Sequence, residues 1–240
     1  MNVLKTLYLH QTVKNNVQIV GWVLIKEEFV VKNVRVWFEK DKQARFISHL
    51  DLNRCMLRAI NASKIKIWHT EGFNPHPFVT FALPLPLGVK GVREAMDMRL
   101  LEDCNDIPSR VNKYLPEGIR VLEVKDPELK PTDIAFARYE VSLDLMDIDT
   151  IKEFLAQETI LVEKKTKSSV RTIDLKKYID CRDIKITNDS VTIELILPAG
   201  SKLNISPILF VNALFKFSDH EYMYFIVRRE LLTEDKFVWR

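Results

Sequence analysis

Three of the five histidines, His49, His69 and His76, fall within a stretch of 28 residues. An imidazole titrates near neutrality, so His49 and His76 are candidates for general acid–base work. A metal site would need these rings to converge with a carboxylate such as Asp51, and no pair has HxH or HxxxH spacing, so no metal site is assigned. The plainer reading of His49 is structural: it falls on the Met56/Ile60 side of its helix and bonds a nearby carbonyl. Arg54 and Arg58, one helical turn apart, can clamp a phosphate or carboxylate. Their plainer reading is a solvated face paired with Asp51. The segment Gly72-Phe73-Asn74-Pro75-His76-Pro77 has the residues of a turn, with Phe and His added that no turn requires. A stiff loop of this kind presents Phe73, Asn74 and His76 to stack on a base and bond its edge; otherwise Phe73 belongs to the core. No Walker loop, GxGxxG, GxSxG or HExxH occurs.

The elements that must carry these residues follow from periodicity. Val34–Lys40 alternates as a strand. Ser48-His49-Leu50-Asp51 is a cap for a helix running to about Ser63, with Leu52, Met56, Ala59 and Ile60 on its inner side and Asp51, Arg54, Arg58 and Asn61 on the outer one. Lys64–Thr70 and Phe78–Leu83 read as strands around the Gly72–Pro77 loop. Glu94–Leu101 alternates again, and helix Ile107–Leu115 and strand Ile119–Val124 follow. The order over 34–126 is β-α-β-β-α-β, a ferredoxin-like unit. Residues 127–136, with Asp126-Pro127 and Lys130-Pro131, read as a linker. Over 137–240 the order recurs loosely: strand Ala137–Leu145, a helix from Asp149, strand-rich pieces at 160–165, 170–179 and 184–197, helix Pro207–Lys216 capped by Ser206, and strand Tyr222–Arg228. The fold class expected is α+β, with tandem ferredoxin-like units and antiparallel sheets. The alternative is one larger domain on a single continuous sheet.

The 240 residues are 47% hydrophobic and 29% charged, as in a globular chain with a full core. Cys55, Cys104 and Cys181 are far apart and odd in number, which speaks against a zinc ribbon or a locally held iron–sulfur cluster. They read as reduced thiols of a cytoplasmic protein. No apolar run approaches the ~20 residues of a membrane span. Residues 1–33 lack caps and turn signals. They read either as an extra strand or hairpin, or as sequence ahead of a true start at Val31, which an intact mass would decide.

The net charge of +3 excludes a wholly basic nucleic-acid binder. It conceals a pattern. Residues 35–68 hold eight basic and three acidic residues, a net +5. Residues 164–185 repeat those counts, again +5, while 121–163 hold four basic and eleven acidic, a net −7. Either the two basic segments face a shared phosphate-bearing partner such as RNA, with Lys42, Lys164, Lys165, Lys167 and Arg171 as contacts, or solvated charges scatter this way by chance.

Arg45-Phe46-Ile47-Ser48-His49-Leu50-Asp51-Leu52, Arg54, Arg58-Ala59, the Gly72–Pro77 segment and Leu85-Pro86-Leu87-Gly88 together resemble the radical-SAM-linked protein family, a bacterial domain of unknown function. The resemblance runs from about Val34 to the C-terminus and is strongest up to Leu101. Members of that family are encoded beside, or fused to, a radical SAM protein with a cobalamin-binding-like domain. The resemblance therefore implies a radical SAM partner that carries the iron–sulfur cluster, SAM and cobalamin, with no cofactor in this chain. It implies motif positions at His49, Asp51, Arg54, Gly72, Phe73, Asn74 and His76, but no catalytic roles. Trp68-His69 departs from the family pattern.

Three functions are open at this point. The leading one is a non-enzymatic accessory module that binds tRNA, rRNA or another substrate for the radical SAM enzyme. The second is a docking domain for that enzyme. The third is an RNA-processing enzyme with His49 or His76 as acid–base.

Overall fold

The computed structural model describes residues 4–7, 23–26, 31–165, 170–187 and 190–240. Near the N-terminus β1 (Leu4–Leu7) and β2 (Val23–Lys26) pair antiparallel as a separate two-stranded ladder. The first half then contains β3 (Lys32–Lys40), α1 (His49–Ala62), β4 (Val79–Phe81), β5 (Lys90–Leu100), α2 (Ile107–Asn112) and β6 (Ile119–Lys125). The second contains β7 (Phe136–Asp144), α3 (Ile148–Ala156), β8 (Leu161–Lys165), β9 (Val170–Asp174), β10 (Asp180–Ile186), β11 (Ser190–Pro198), α4 (Pro207–Ser218) and β12 (Tyr224–Leu232). The class is mixed α+β, with more strands than helices among the described residues.

The helices start where side chains satisfy their free N–H groups. Ser48 accepts from the Asp51 N–H, Asp147 from that of Asp149, and Ser206 from that of Ile208, with Pro207 in the first turn. The outward alternation of β7 buries Ala137, Tyr139, Val141 and Leu143 and leaves their neighbours partly exposed, the period-2 signature of a sheet covered on one face. In the first half Val34, Val36, Phe38, Met96 and Met98 pack against Leu52, Met56 and Ile60 of α1. In the second, the strand residues pack against Ile151 and Phe154 of α3 and Phe210 and Leu214 of α4.

Two sheets were expected; there is one eight-stranded sheet. Its order is β10-β11-β7-β12-β5-β3-β6, with β4 also on β5. β8 and β9 pair only with each other, and among the strands each half gives to the large sheet the order is fourth, first, third, second: β6-β3-β5-β4 and β12-β7-β11-β10. The halves meet where β12 runs parallel to β5 at Val227↔Lys90 and Arg228↔Gly91. The all-antiparallel expectation fails at this joint for a simple reason. β4 pairs only with the Met96–Met98 end of β5, so the backbone edge at Lys90 and Gly91 is open for β12 to fill.

Residues 127–136 are tied down at several points. Pro131–Asp133 forms a 3-10 turn, Ile134 is buried, and the Leu129 N–H donates to the Arg240 carbonyl at 2.9 Å. The chain end straps the back of the first half: Trp239 packs edge-on to Trp37 and donates from Nε1 to the Lys130 carbonyl. The strand-rich piece at 184–197 divides between β10 and β11, which pair antiparallel.

Candidate functional site

The strand expected at 64–70 is interrupted. Ile67 bridges Leu100 of β5, and Val79 then resumes pairing at Met98. Residues 68–78 are thus an excursion from one strand line. The excursion is a small hairpin: Phe78 N–H donates to the Trp68 carbonyl, His69 bridges Pro77, and Thr70 N–H donates to the His76 carbonyl at 2.8 Å. Its base is braced by Arg99. The guanidinium lies 4.4 Å from the Phe78 ring centroid and 5.0 Å from that of Trp68, and the two rings meet edge-on. His76 closes the tip: its backbone N–H donates to Thr70 Oγ1, and its Nδ1 lies 3.0 Å from the same hydroxyl and 3.2 Å from the Asn74 carbonyl. Gly72 takes φ +127°, a conformation glycine adopts without strain, and nothing stands within 4 Å of where a Cβ would be. Phe73, at the tip, has a relative exposure of 106%, so its ring touches nothing. The alternative of Phe73 in the core is excluded.

The second motif group surrounds the start of α1. Ser48 Oγ donates to Asp51 at 2.7 Å, which together with Arg54 and Arg58 holds the Asp51 carboxyl below its ordinary range. Arg54 pairs with Asp51 at 3.4 Å; Arg58 is exposed, with no ion pair among the described residues. The His49 ring sits edge-on to Phe81 at 5.0 Å, and burial together with the nearby Lys40 charge pushes its pKa down. Arg45 spans the two halves, its guanidinium 5.2 Å from the Phe46 ring centroid and 4.4 Å from that of Phe225 on β12. Phe46, Leu50 and Leu87 are each more than half exposed. Among the described residues no hydrogen bond or ring contact joins Phe73, Asn74 or His76 to His49, Asp51 or Arg54. The motif residues thus fall into two groups, the hairpin tip and the start of α1, with no contact of these kinds between them.

The basic segments are thinned by the fold. Arg35 and Lys40 are buried, and Lys42 and Lys66 pair with Glu117 and Glu102. Lys164 donates to the Asn204 carbonyl at 2.7 Å, Lys165 ends β8 opposite Val170, and Arg171 is exposed on β9. Lys167 lies outside the described residues. No helix among the described residues is long and apolar enough to cross a membrane, and no group of three or more His, Cys, Asp or Glu among them is placed to hold a metal ion.

A buried ionic cluster was not foreseen. Arg228 donates to Glu94, both fully buried, and to the carbonyls of Leu83 (3.0 Å) and Pro84 (3.2 Å). Lys40 donates to the Ile47 carbonyl at 3.0 Å and more weakly to that of Arg45. The signal that could have found it is Gly91, an isolated glycine in a strand pattern, which marks close approach.

This mixed α+β sheet protein matches a family model described as uncharacterized proteins conserved in bacteria, DUF2344, over residues 33–207. The chain belongs to that family. No curated protein matches it. Among solved structures it is similar to a chain of the "Crystal Structure of a Cbf5-Nop10-Gar1 Complex", at 14% identity and a TM-score of 0.42 over 83% of this chain. It spans half the length of that chain.

Proposed function

We propose that this chain is a non-catalytic accessory module of a radical SAM modification system, and that it binds the system's tRNA or rRNA substrate. The observation that carries the reading is Phe73. A large apolar ring held wholly in water on a hydrogen-bonded hairpin contributes nothing to the core and presents an open face on which a base can stack. The exposed Arg58 and Lys64, on the run leading into that hairpin, supply charge for phosphates. The strand order of each half supports reading the chain as tandem ferredoxin-like units. The motif resemblance supports the radical SAM partner, which would carry the cluster, SAM and cobalamin, and with it a cytoplasmic setting.

The test is binding of transcribed tRNA and rRNA fragments, followed by fluorescence anisotropy from about 50 to 200 mM salt. Affinity is expected to fall linearly on a log–log plot. Absent or salt-insensitive binding overturns the RNA reading.

A second reading, docking on the radical SAM protein itself, is favoured by the exposed Phe46, Leu50 and Leu87 beside the Arg45 cation. It predicts that the two proteins co-purify when co-expressed and that Phe46→Ser with Leu87→Ser separates them.

A further inference from the structure

We infer that the RNA feature this chain recognises is an unpaired nucleotide, in a loop or bulge, stacked on Phe73 with its edge at Asn74 and His76. This rests on the RNA reading above and names its substrate class. A phenyl ring has no hydrogen-bonding group, so it gains from an RNA only against an open base face. In an A-form duplex the base faces are covered by stacking, the major groove is too narrow for side chains, and the minor groove shows edges and 2′-hydroxyls. A duplex therefore offers Phe73 nothing that matches its exposure.

The hairpin has the form such a contact requires. It is slim at the tip, where Gly72 leaves open space. Its rungs and the Arg99 brace between Trp68 and Phe78 hold the tip in place before binding, so little conformational freedom remains to be lost. The polar groups needed to read a base edge flank the ring. The Asn74 side chain has no hydrogen-bond partner among the described residues and offers two N–H donors and an acceptor. His76 uses Nδ1 within the hairpin, at Thr70 and the Asn74 carbonyl, which leaves Nε2 as the ring atom free for a ligand.

The experiment uses the full chain and two RNAs of equal length and charge: a perfectly paired hairpin stem, and the same stem with a bulge carrying 2-aminopurine. Wild type is expected to favour the bulged RNA and to quench the 2-aminopurine. Phe73→Ala is expected to weaken binding of the bulged RNA by about 5- to 150-fold, to leave the paired RNA unaffected and to abolish the quench. Phe73→Trp restores both. Unchanged thermal melts for Phe73→Ala establish that folding is intact. If both RNAs bind with salt dependence but Phe73→Ala changes neither affinity nor fluorescence, the unpaired-nucleotide inference falls and the RNA reading stands. If neither RNA binds, both fall. If Phe73→Ala instead disrupts only co-purification of a radical SAM protein, the hairpin is a protein contact and the inference is overturned.

Discussion

Lys40 and Arg228 stand in register with the same residue, Gly91, from opposite sides of β5. The Glu94 side chain folds back over Gly91; a Cβ there would come within 2.5 Å of the Glu94 Cγ and Oε1. Glu94 is thus the counter-ion to a cation from the second half and lies close enough to one from the first to raise its proton affinity. Burial lowers the Lys40 pKa, and Arg228 lowers it further, against the pull of Glu94. Burial works against the Arg228 charge, but Glu94 and Tyr139 together outweigh it and hold the guanidinium charged. Each cation also holds a chain segment by its carbonyls, Lys40 the motif run at Arg45–Ile47 and Arg228 the pair Leu83–Pro84 just ahead of the Leu85–Gly88 motif.

Removing the shared anion should therefore be costly. Glu94→Gln leaves Arg228 buried without its charge partner, a change that costs about 3–5 kcal/mol in comparable pairs. Gly91→Ala should cost about 1–3 kcal/mol, because the Glu94 carboxylate is pinned and cannot swing aside for the new methyl. Urea unfolding measures both. A Glu94→Gln protein as stable as wild type would refute this account of the junction.

The parts of the fold that depend on local pattern were legible. Ser48 and Ser206 announce their helices by cap chemistry, and the buried side of α1 follows from 3.6-residue spacing. The junction was not legible, because a lone sequence gives Lys40, Glu94 and Arg228 the default of charged residues, the surface. Their burial depends on strands far apart in the chain meeting at β5. For the same reason Arg35 and Lys40 entered the count of a basic surface to which they do not belong. The Gly72–Pro77 loop was recognisable as stiff, but its projection from a broken strand line depends on pairing with β5, which no local signal encodes. The C-terminal strap carried no periodic pattern at all.

That strap yields a second prediction. Trp239 is buried, meets Trp37 at 5.7 Å between ring centroids, and carries the Arg35 guanidinium 3.8 Å above its ring. Trp239→Ala removes a large buried side chain and uncovers Arg35, so a loss of about 3–5 kcal/mol is expected. Trp239→Phe should recover part of it, keeping the ring but not the hydrogen bond to Lys130. Equal stability for Trp239→Ala and wild type in thermal melts would mean the strap is dispensable.

Asp41 gives the acid limb of stability. Burial raises its pKa, but the 2.6 Å pair with Lys90 and the Lys42 N–H at 2.7 Å outweigh it, and the net shift is below the ordinary 3.8. The unfolded chain therefore takes up the proton first. The pair's contribution is whole above the unfolded value and is lost as pH falls through the folded one. Asp41→Asn should cost roughly 1 kcal/mol at neutral pH, as expected for a half-exposed pair, and should flatten the loss of stability below about pH 4. Denaturant midpoints taken across that range test it; a variant with the full wild-type acid slope contradicts the assignment.

His49 governs the next window up. Its pKa lies below the ordinary 6.5 because the ring is partly buried against Phe81 and faces the Lys40 charge. Between 6.5 and the lower folded value the unfolded chain binds more protons than the folded one, so stability declines as pH drops through that interval. His49→Phe keeps a ring against Phe81 and removes the titration, so its stability should be flat there while wild type slopes. The same shift has a chemical meaning. The downward shift favours the uncharged imidazole, which can accept a proton, over the cation that would face a phosphate. An NMR titration of the His49 ring in the intact protein reads this directly, and a midpoint at or above 6.5 would reject both the linkage and the neutral state.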